Sequence, residues 1–144
     1  MEYYLEYILI AVLVVCILYN LLPSKKEGLD NSKKVHRFVN YYASWCYFSQ
    51  QLFKLEDDTP GAWTQLKKDD EVRNLATNLG VEIQIVDLQC DKEGNEEICK
   101  NQGIEAYPTI KLHKQGEEGV ETIEYDGERS LVSFREFLTT QLSN

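Results

Sequence analysis

The sequence has little positive charge and few side chains that bind metals. Its 144 residues include 15 Lys and Arg against 24 Asp and Glu, which gives a formal net charge of −9. This balance argues against a nucleic-acid partner, because phosphate binding needs clustered cations. His36 and His113 are isolated, so we expect no metal site. No phosphate-binding glycine loop or nucleophile elbow occurs either, so we expect no hydrolase, kinase or bound cofactor.

Charged residues are also absent from positions 7–22, which are mostly Ile, Leu and Val. These sixteen residues would span about 24 Å as a helix, against a hydrocarbon core of about 30 Å. Extension back to Tyr3 completes the span and places tyrosines near both headgroup layers. We therefore predict a membrane anchor over residues 1–22, with residues 3–22 in the bilayer and Cys16 acting there as a small hydrophobe.

Two alternatives to the anchor stay open. A cleaved signal peptide would need a positive start and a small-residue cleavage site, whereas Glu2 and Glu6 are acidic and no convincing site follows. A buried core helix fits less well, because the segment has little polar face. The polar stretch 23–34 is interpreted as a linker. Its lysines, and the absence of Lys or Arg before the span, place the following domain on the cytosolic side.

The rest of the chain, residues 35–144, has the patterns of one α/β domain. We predict strands at 35–43, 81–88, 109–114 and 120–126, from β-branched or alternating apolar residues. Helical spacing predicts helices at 60–79, 95–103 and 130–142, the last capped by Ser130. The order predicts a mixed sheet with helices on its faces.

Three landmarks give this region a specific resemblance: "FVNYYASWCYFS" (38–49), "GIEAYPTIKL" (103–112) and "YDGERSLVSFREFL" (125–138). Their sequence and order resemble a thioredoxin-fold domain of the protein disulfide isomerase type. The resemblance implies that Cys46 is the nucleophile at the start of a helix, whose amides lower the pKa of the thiol. It also implies a cis bond between Tyr107 and Pro108 beside Cys46, with Thr109 following.

Other residues near Cys46 are predicted to shape the site. Trp45 would shield it, and the apolar Tyr47 and Phe48 would either form a lip for client proteins or bury the thiol. The insertion "KLEDD" (54–58) follows and is interpreted as a solvated acidic loop. The linker leaves little room for the family's usual first strand and helix, which predicts a trimmed domain.

Two positions depart from the family pattern. Ser49 stands where a second cysteine would release the client, and Asn40 stands where a buried Asp or Glu would accept the proton of that second thiol. A serine hydroxyl cannot form the releasing disulfide. Ser49 can at most donate a hydrogen bond to a Cys46 thiolate. The two departures are consistent with each other, because a proton acceptor has no function where the second thiol is absent. Ordinary dithiol chemistry is therefore not expected.

Cys90 and Cys99 lie in the loop after a predicted strand and on the next helix. Some disulfide-isomerase-type domains carry a structural disulfide across this loop, and the resemblance implies one here. Two buried thiols are the alternative. A disulfide indicates an oxidising space, whereas the flanking lysines indicate the cytosol. An exception to the charge rule would reconcile them, as would a large cytoplasmic DNA virus with its own disulfide pathway.

The sequence therefore predicts a membrane-anchored monothiol protein whose Cys46 forms mixed disulfides with client cysteines. Such a site would act in isomerisation or in client retention. A redox-inactive thioredoxin-fold module tethered to a membrane, such as a virion component, is the main alternative. Iron–sulfur chemistry is a weaker one, suggested by the similarity of "CYFS" to the "CGFS" of monothiol glutaredoxins.

Overall fold

The computed structural model describes residues 33–143. The predicted anchor, with Cys16, and residues 23–32 of the predicted linker lie outside the described residues. Within 33–143, no helix combines the length and the apolar composition that crossing a bilayer requires.

A four-stranded mixed sheet forms the centre of the domain, as predicted. Its strands are β1 (Val35–Tyr42), β2 (Glu82–Gln89), β3 (Thr109–Gln115) and β4 (Val120–Tyr125). Their order in the sheet is β2-β1-β3-β4. β1 pairs in parallel with β2 and antiparallel with β3, and β3 pairs antiparallel with β4. β1 is central because its β-branched and aromatic residues suit a strand with neighbours on both sides.

Five helices complete the described part of the chain: α1 (Tyr47–Phe53), α2 (Ala62–Leu66), α3 (Asp70–Leu79), α4 (Glu96–Asn101) and α5 (Leu131–Leu142). The prediction of one helix over 60–79 is wrong, because this stretch folds as α2 and α3. Asp69 causes the break, since its side chain accepts a hydrogen bond from the Val72 amide at 3.0 Å and caps α3. Aspartate favours such a cap over a helix interior. Ser130 caps α5 in the predicted manner.

The main core lies between one face of the sheet and helices α1, α2, α3 and α5. At its centre are Phe38, Trp63 and Phe134, all without exposed surface, with ring centroids 5.3–5.8 Å apart. These tilted and edge-on contacts are the arrangements that aromatic rings favour. A smaller cluster on the other face joins β1 to Cys90, which follows β2, and to Cys99 of α4. The two clusters fix β1, which leads directly into the segment around Cys46.

Gly61 lets α1 and α2 meet closely. A Cβ atom at this position would lie 2.4 Å from the carbonyl oxygens of Gln51 and Leu52. The Gly61 amide also donates to the Phe53 carbonyl at 2.9 Å. A glycine is required because only its backbone can approach another backbone so closely. This contact closes the loop between α1 and α2 beside the candidate site.

Candidate functional site

Cys46 lies at the junction between β1 and α1. It is the N-cap residue of α1, with extended backbone angles (φ −82°, ψ 118°), and its amide donates to the Ala43 carbonyl at 3.1 Å. The side chain is half-buried and forms no disulfide. Its thiol donates to the Tyr107 carbonyl, with sulfur and oxygen 3.4 Å apart. Cys46 is thus a free thiol that solvent can reach.

The surroundings of Cys46 lower the pKa of its thiol below the ordinary value. Burial acts in the opposite direction and is the largest single influence. It is outweighed by hydrogen bonding from the Ser49 hydroxyl and from the Ser49 and Phe48 amides, together with the charge of Arg129. Since the thiolate is the reactive form of cysteine, these contacts increase the fraction of Cys46 that is reactive at neutral pH.

Ser49 and Asn40 are both fully buried polar residues. With Cys46 as a neutral thiol, the Ser49 hydroxyl and both polar atoms of the Asn40 side chain make no hydrogen bond. A buried polar group without a partner costs about 1–3 kcal/mol. The Ser49 hydroxyl would gain an acceptor when Cys46 ionises. Asn40 would gain no such partner, because position 49 carries no thiol that could ionise.

Pro108 brings a second backbone segment to the thiol. The Tyr107–Pro108 peptide bond is cis, and Pro108 is buried. Thr109 begins β3 opposite Tyr41, and its hydroxyl donates to the Ala106 carbonyl at 2.8 Å. The structure therefore places Tyr107, Pro108 and Thr109 in the segment whose Tyr107 carbonyl contacts Cys46, sixty-one residues away in sequence.

Three large side chains around Cys46 are exposed. Trp45, Tyr47 and Phe48 have 71%, 53% and 60% of their surface accessible. Trp45 lies edge-on to Tyr107 with ring centroids 6.0 Å apart, and Tyr47 contacts Phe48 in the same manner at 5.6 Å. Their exposure favours a lip around the thiol over burial of the thiol. Trp45 flanks the site at its surface rather than enclosing it.

The acidic loop 54–58 contacts the site. Glu56 accepts a hydrogen bond from the Tyr47 hydroxyl at 2.7 Å, and Lys54 pairs with Asp58 at 2.7 Å within the loop. Lys54 also forms an isolated bridge with Pro60. The loop is exposed, as predicted, but its hydrogen bonds hold it beside the residue that follows Cys46.

Two further residues at the site have no role in the sequence-based prediction. Both Asp91 carboxylate oxygens accept from the Ser44 amide, at 3.0 and 3.2 Å, and Oδ2 also accepts from the Ser44 hydroxyl at 2.5 Å. Arg129 donates to the Pro108 carbonyl at 3.4 Å. Asp91 was detectable in principle, since β1 and β2 are parallel and the segments after them meet at one edge of the sheet. Arg129 lies within the quoted landmark "YDGERS", but nothing in that pattern assigns it a contact.

Cys90 and Cys99 are joined by a disulfide with an S–S distance of 2.06 Å. Both are buried, and they link the end of β2 to α4. Asp91, the neighbour of Cys90, is the residue that binds Ser44, so the disulfide lies one residue from a contact to the segment around Cys46.

The two histidines lie in separate environments. His113 bonds the Tyr41 hydroxyl at 2.8 Å and the Thr122 hydroxyl at 3.0 Å, while His36 accepts from the Gln115 amide at 3.0 Å. Residues 33–143 contain no group of three or more His, Cys, Asp or Glu arranged to hold a metal ion.

Comparisons with known proteins agree on the type of fold. The family model for thioredoxin matches residues 25–140. Endoplasmic reticulum resident protein 44 of Homo sapiens is 29% identical over 106 residues, which cover 74% of this chain and 23% of that protein. The protein disulfide-isomerase of Gallus gallus is 33% identical over 115 residues, covering 79% of this chain and 18% of the relative. The chain thus spans about a fifth of the length of these relatives.

Solved structures give the same result. The crystal structure of human ERp44 superposes with a TM-score of 0.57 at 26% identity, covering 79% of this chain and 29% of that one. The first two thioredoxin domains of Saccharomyces cerevisiae Eps1p superpose with a TM-score of 0.58 at 17% identity, over 77% of this chain and 36% of that one. The second likeness concerns the fold alone.

Proposed function

The chain belongs to the thioredoxin family, and from this premise we propose that it carries out thiol–disulfide exchange through Cys46 alone. Its relatives include protein disulfide-isomerases. The observation that carries the proposal is the pairing of a half-buried, free Cys46 thiol with Ser49 at the fourth position of the motif. The first residue can attack a disulfide, and the second cannot complete the exchange.

Capture of a client would begin from the Cys46 thiolate. The thiolate attacks one sulfur of a client disulfide, a bond forms between Cys46 and that sulfur, and the client's other sulfur leaves as a thiolate that takes a proton from water. Electrons balance within the three sulfurs, so no outside oxidant is needed. Ser49 and the Phe48 amide favour the attacking thiolate because they lower the pKa of Cys46.

Release would need a thiol from outside the site. A second client thiolate attacks the mixed disulfide, forms a new client disulfide and returns Cys46 as a thiolate. Because Ser49 has no sulfur and Asn40 cannot accept a proton, no internal route competes. Rearrangement of client disulfides and prolonged retention of clients are both consistent with this scheme, whereas fast net reduction is not.

The test compares the wild-type chain with Ser49→Cys. We expect acid-quenched alkylation and mass spectrometry to find clients attached to wild-type Cys46, and we expect the wild type not to reduce insulin catalytically. Ser49→Cys should gain insulin reduction, and addition of Asn40→Asp should raise the rate further, by up to about a hundredfold, since a positioned base contributes that order.

Ser49→Ala and Cys46→Ser are the matched controls. Ser49→Ala removes the hydroxyl without adding a thiol and should not gain reductase activity. Cys46→Ser should abolish every mixed disulfide of the domain, because its other two cysteines are joined to each other. Catalytic insulin reduction by the wild type would contradict the monothiol mechanism. An unreactive Cys46 would favour a redox-inactive binding module built on the same fold.

We further propose that residues 3–22 anchor the domain in a membrane as a single span. The support is the uncharged, apolar run at 7–22 with tyrosines at its ends. Full-length protein should stay with membranes after alkaline carbonate extraction, and a chain starting at residue 23 should not. Extraction of both forms into the supernatant would contradict the anchor.

The side of the membrane stays open in this proposal. The disulfide and the name of one relative, endoplasmic reticulum resident protein 44, support an oxidising space, and the flanking lysines support the cytosol. Protease protection of the domain in sealed vesicles would decide between them.

A further inference from the structure

A groove of about 380 Å³ borders the segment that carries Cys46. Its walls come from four parts of the chain: α1, the acidic loop after it, α2, and the segment that leads into α5. The apolar lining residues are Phe48, Leu52, Leu55, Ala62 and Leu131, and Arg129 also lines the groove. Phe48 belongs to the first turn of α1, two residues after Cys46, so a client cysteine held at Cys46 would place its neighbours close to this groove.

The lining combines a buried floor with exposed apolar edges. Leu52 is 2% exposed and packs into the main core, while Phe48 and Leu55 leave 60% and 42% of their surface in solvent. Two large apolar side chains exposed on the walls of one groove indicate an interaction surface, since covering them is favourable.

The backbone of Leu55 is fixed by hydrogen bonds within its loop. Its amide donates to the Thr59 carbonyl at 2.9 Å, and its own carbonyl accepts from the Asp58 amide at 3.1 Å. The Lys54–Asp58 ion pair and the bond from Tyr47 to Glu56 close the same loop on either side. The apolar edge is therefore present before any client binds.

Arg129 supplies an available positive charge in this groove. It is exposed, and among residues 33–143 it forms no ion pair. Its described hydrogen bond goes to the Pro108 carbonyl, a neutral group. In a chain of net charge −9, an unpaired guanidinium beside an apolar groove favours a ligand that carries a carboxylate.

We propose that the groove binds the client segment next to the captured cysteine, taking one bulky apolar side chain between Phe48 and Leu55 and one carboxylate at Arg129. The proposal rests on the function proposed above for Cys46 and adds the chemistry by which clients are selected. The occupant is an extended cysteine-containing segment with an apolar and an acidic residue. Charge complementarity with Arg129 distinguishes it from a purely apolar segment.

The test uses the full chain and short Gly/Ser peptides with one cysteine, each activated as a mixed disulfide with 5-thio-2-nitrobenzoate. Attack by Cys46 forms the Cys46–peptide disulfide and releases the coloured thiolate, which gives the rate. Leu, and separately Glu, are moved through the positions on both sides of the cysteine. We expect Leu at the favoured position to raise the rate about tenfold over Gly, which is the order by which an apolar pocket favours a larger apolar side chain.

The acidic residue should add a smaller, salt-dependent gain. Glu at its favoured position should raise the rate about threefold over Gln at low salt, the order expected for an exposed ion pair, and the gain should shrink at high salt. Arg129→Gln should remove the preference for Glu and keep the preference for Leu. Leu55→Ser should lower the ratio of Leu-peptide to Gly-peptide rates. Val132→Ser, which removes another exposed apolar side chain from α5 outside the groove, should change neither ratio.

The outcomes separate this proposal from the function on which it rests. Equal rates for all peptides, with normal release of the coloured thiolate, would overturn the groove and leave the thiol chemistry of Cys46 in place. A preference for Lys over Glu would overturn the role of Arg129. No reaction of Cys46 with any peptide, or with the symmetrical aromatic disulfide, would overturn both. Because the peptide series is read on the wild type, the result does not depend on the variants folding.

Discussion

The hydroxyl of Ser49 has a different environment in each ionisation state of Cys46. While Cys46 is a thiol, it donates to the Tyr107 carbonyl and Ser49 has no partner. When Cys46 loses its proton, the sulfur becomes an acceptor that Ser49 can serve. Satisfying a buried donor removes part of its desolvation cost. Ser49 therefore favours the reactive form of its neighbour, although it cannot act as a resolving thiol.

The first prediction concerns this contact. Ser49→Ala should raise the pKa of Cys46, because the mutation removes the hydrogen bond that does most to oppose the effect of burial. A depressed thiol pKa keeps the thiolate populated at neutral pH, so the iodoacetamide rate at pH 7 should fall several-fold and the midpoint of its pH profile should move upward.

Ser143→Ala, at the exposed end of α5, is the control and should leave the profile unchanged. An unshifted midpoint for Ser49→Ala would show that backbone amides and Arg129 account for the low pKa without the hydroxyl.

The residues of the site differ in how well the sequence predicts them. Cys46 and Pro108 stand in short local motifs that indicate their chemistry directly. The structure places the Cys46 thiol against the carbonyl of Tyr107, the residue before Pro108. Asp91 and Arg129 act through contacts to Ser44 and Pro108, 47 and 21 residues away. Such contacts depend on the register of two parallel strands and on where α5 begins, which a single sequence does not specify.

At the scale of elements, Asp69 both begins α3 and ties it to α5. It is 7% exposed, caps α3 through Val72, and accepts from the Arg135 Nε at 3.1 Å with each carboxylate oxygen. Hydrogen bonding from Arg135 is the main cause that lowers the pKa of Asp69. A two-oxygen contact to guanidinium is among the stronger protein ion pairs.

The second prediction follows from this pair. Asp69→Asn keeps a capping side chain but removes the charge, and should lower the free energy of unfolding by about 1.5–3 kcal/mol, the value for hydrogen bonds to charged groups. Urea denaturation measures it. The stability from Asp69 is fully present above its unfolded pKa, about 3.9, and is lost as pH falls through its lower folded pKa. The difference between wild type and variant should therefore shrink below about pH 4.

Asp70→Asn is the matched control, one residue away. Its ion pair with Arg73 is exposed on both sides, so the change should stay within about 0.5 kcal/mol. Equal effects of the two variants would show that the Asp69–Arg135 contact does not tie the helices together.

The third prediction concerns the disulfide between β2 and α4. Cys90→Ser with Cys99→Ser should lower the free energy of unfolding by about 2–3 kcal/mol, the entropy model's value for a loop of this size. Cys16 and Cys46 remain as thiols in the double variant, so the measurement is made with both of them alkylated in both proteins. No loss of stability would show that the disulfide does not stabilise the folded domain.

The strands were easier to predict than the helices for a physical reason. β1 to β4 carry β-branched and aromatic residues between turn residues, and their observed ends lie within a residue or so of the predicted ones. The stretch 60–79 has apolar residues near helical spacing throughout, and its break depends on a capping bond that competes with the helix at Asp69. The spacing of apolar residues carries no information about whether a side chain caps a new helix or continues the old one.

For the whole molecule, the main core comes from residues between Phe38 and Leu142. The fourth prediction is that a chain starting at residue 33 folds by itself, with an unfolding midpoint in urea equal to that of the full chain in detergent. Such a chain contains every residue of the main core that the described part of the structure shows, and this core is what stabilises the fold. A molten or aggregating fragment would contradict the domain boundary placed at residue 35.

The serine at position 49 would also determine how many clients each copy of such a protein could handle. A dithiol catalyst is limited by turnover, and a few copies can process many substrates. A site that captures through Cys46 and releases only when an outside thiol arrives is limited by stoichiometry. Each copy would hold one client, the number of occupied copies would follow the supply of free thiols nearby, and abundance would set the capacity of the system.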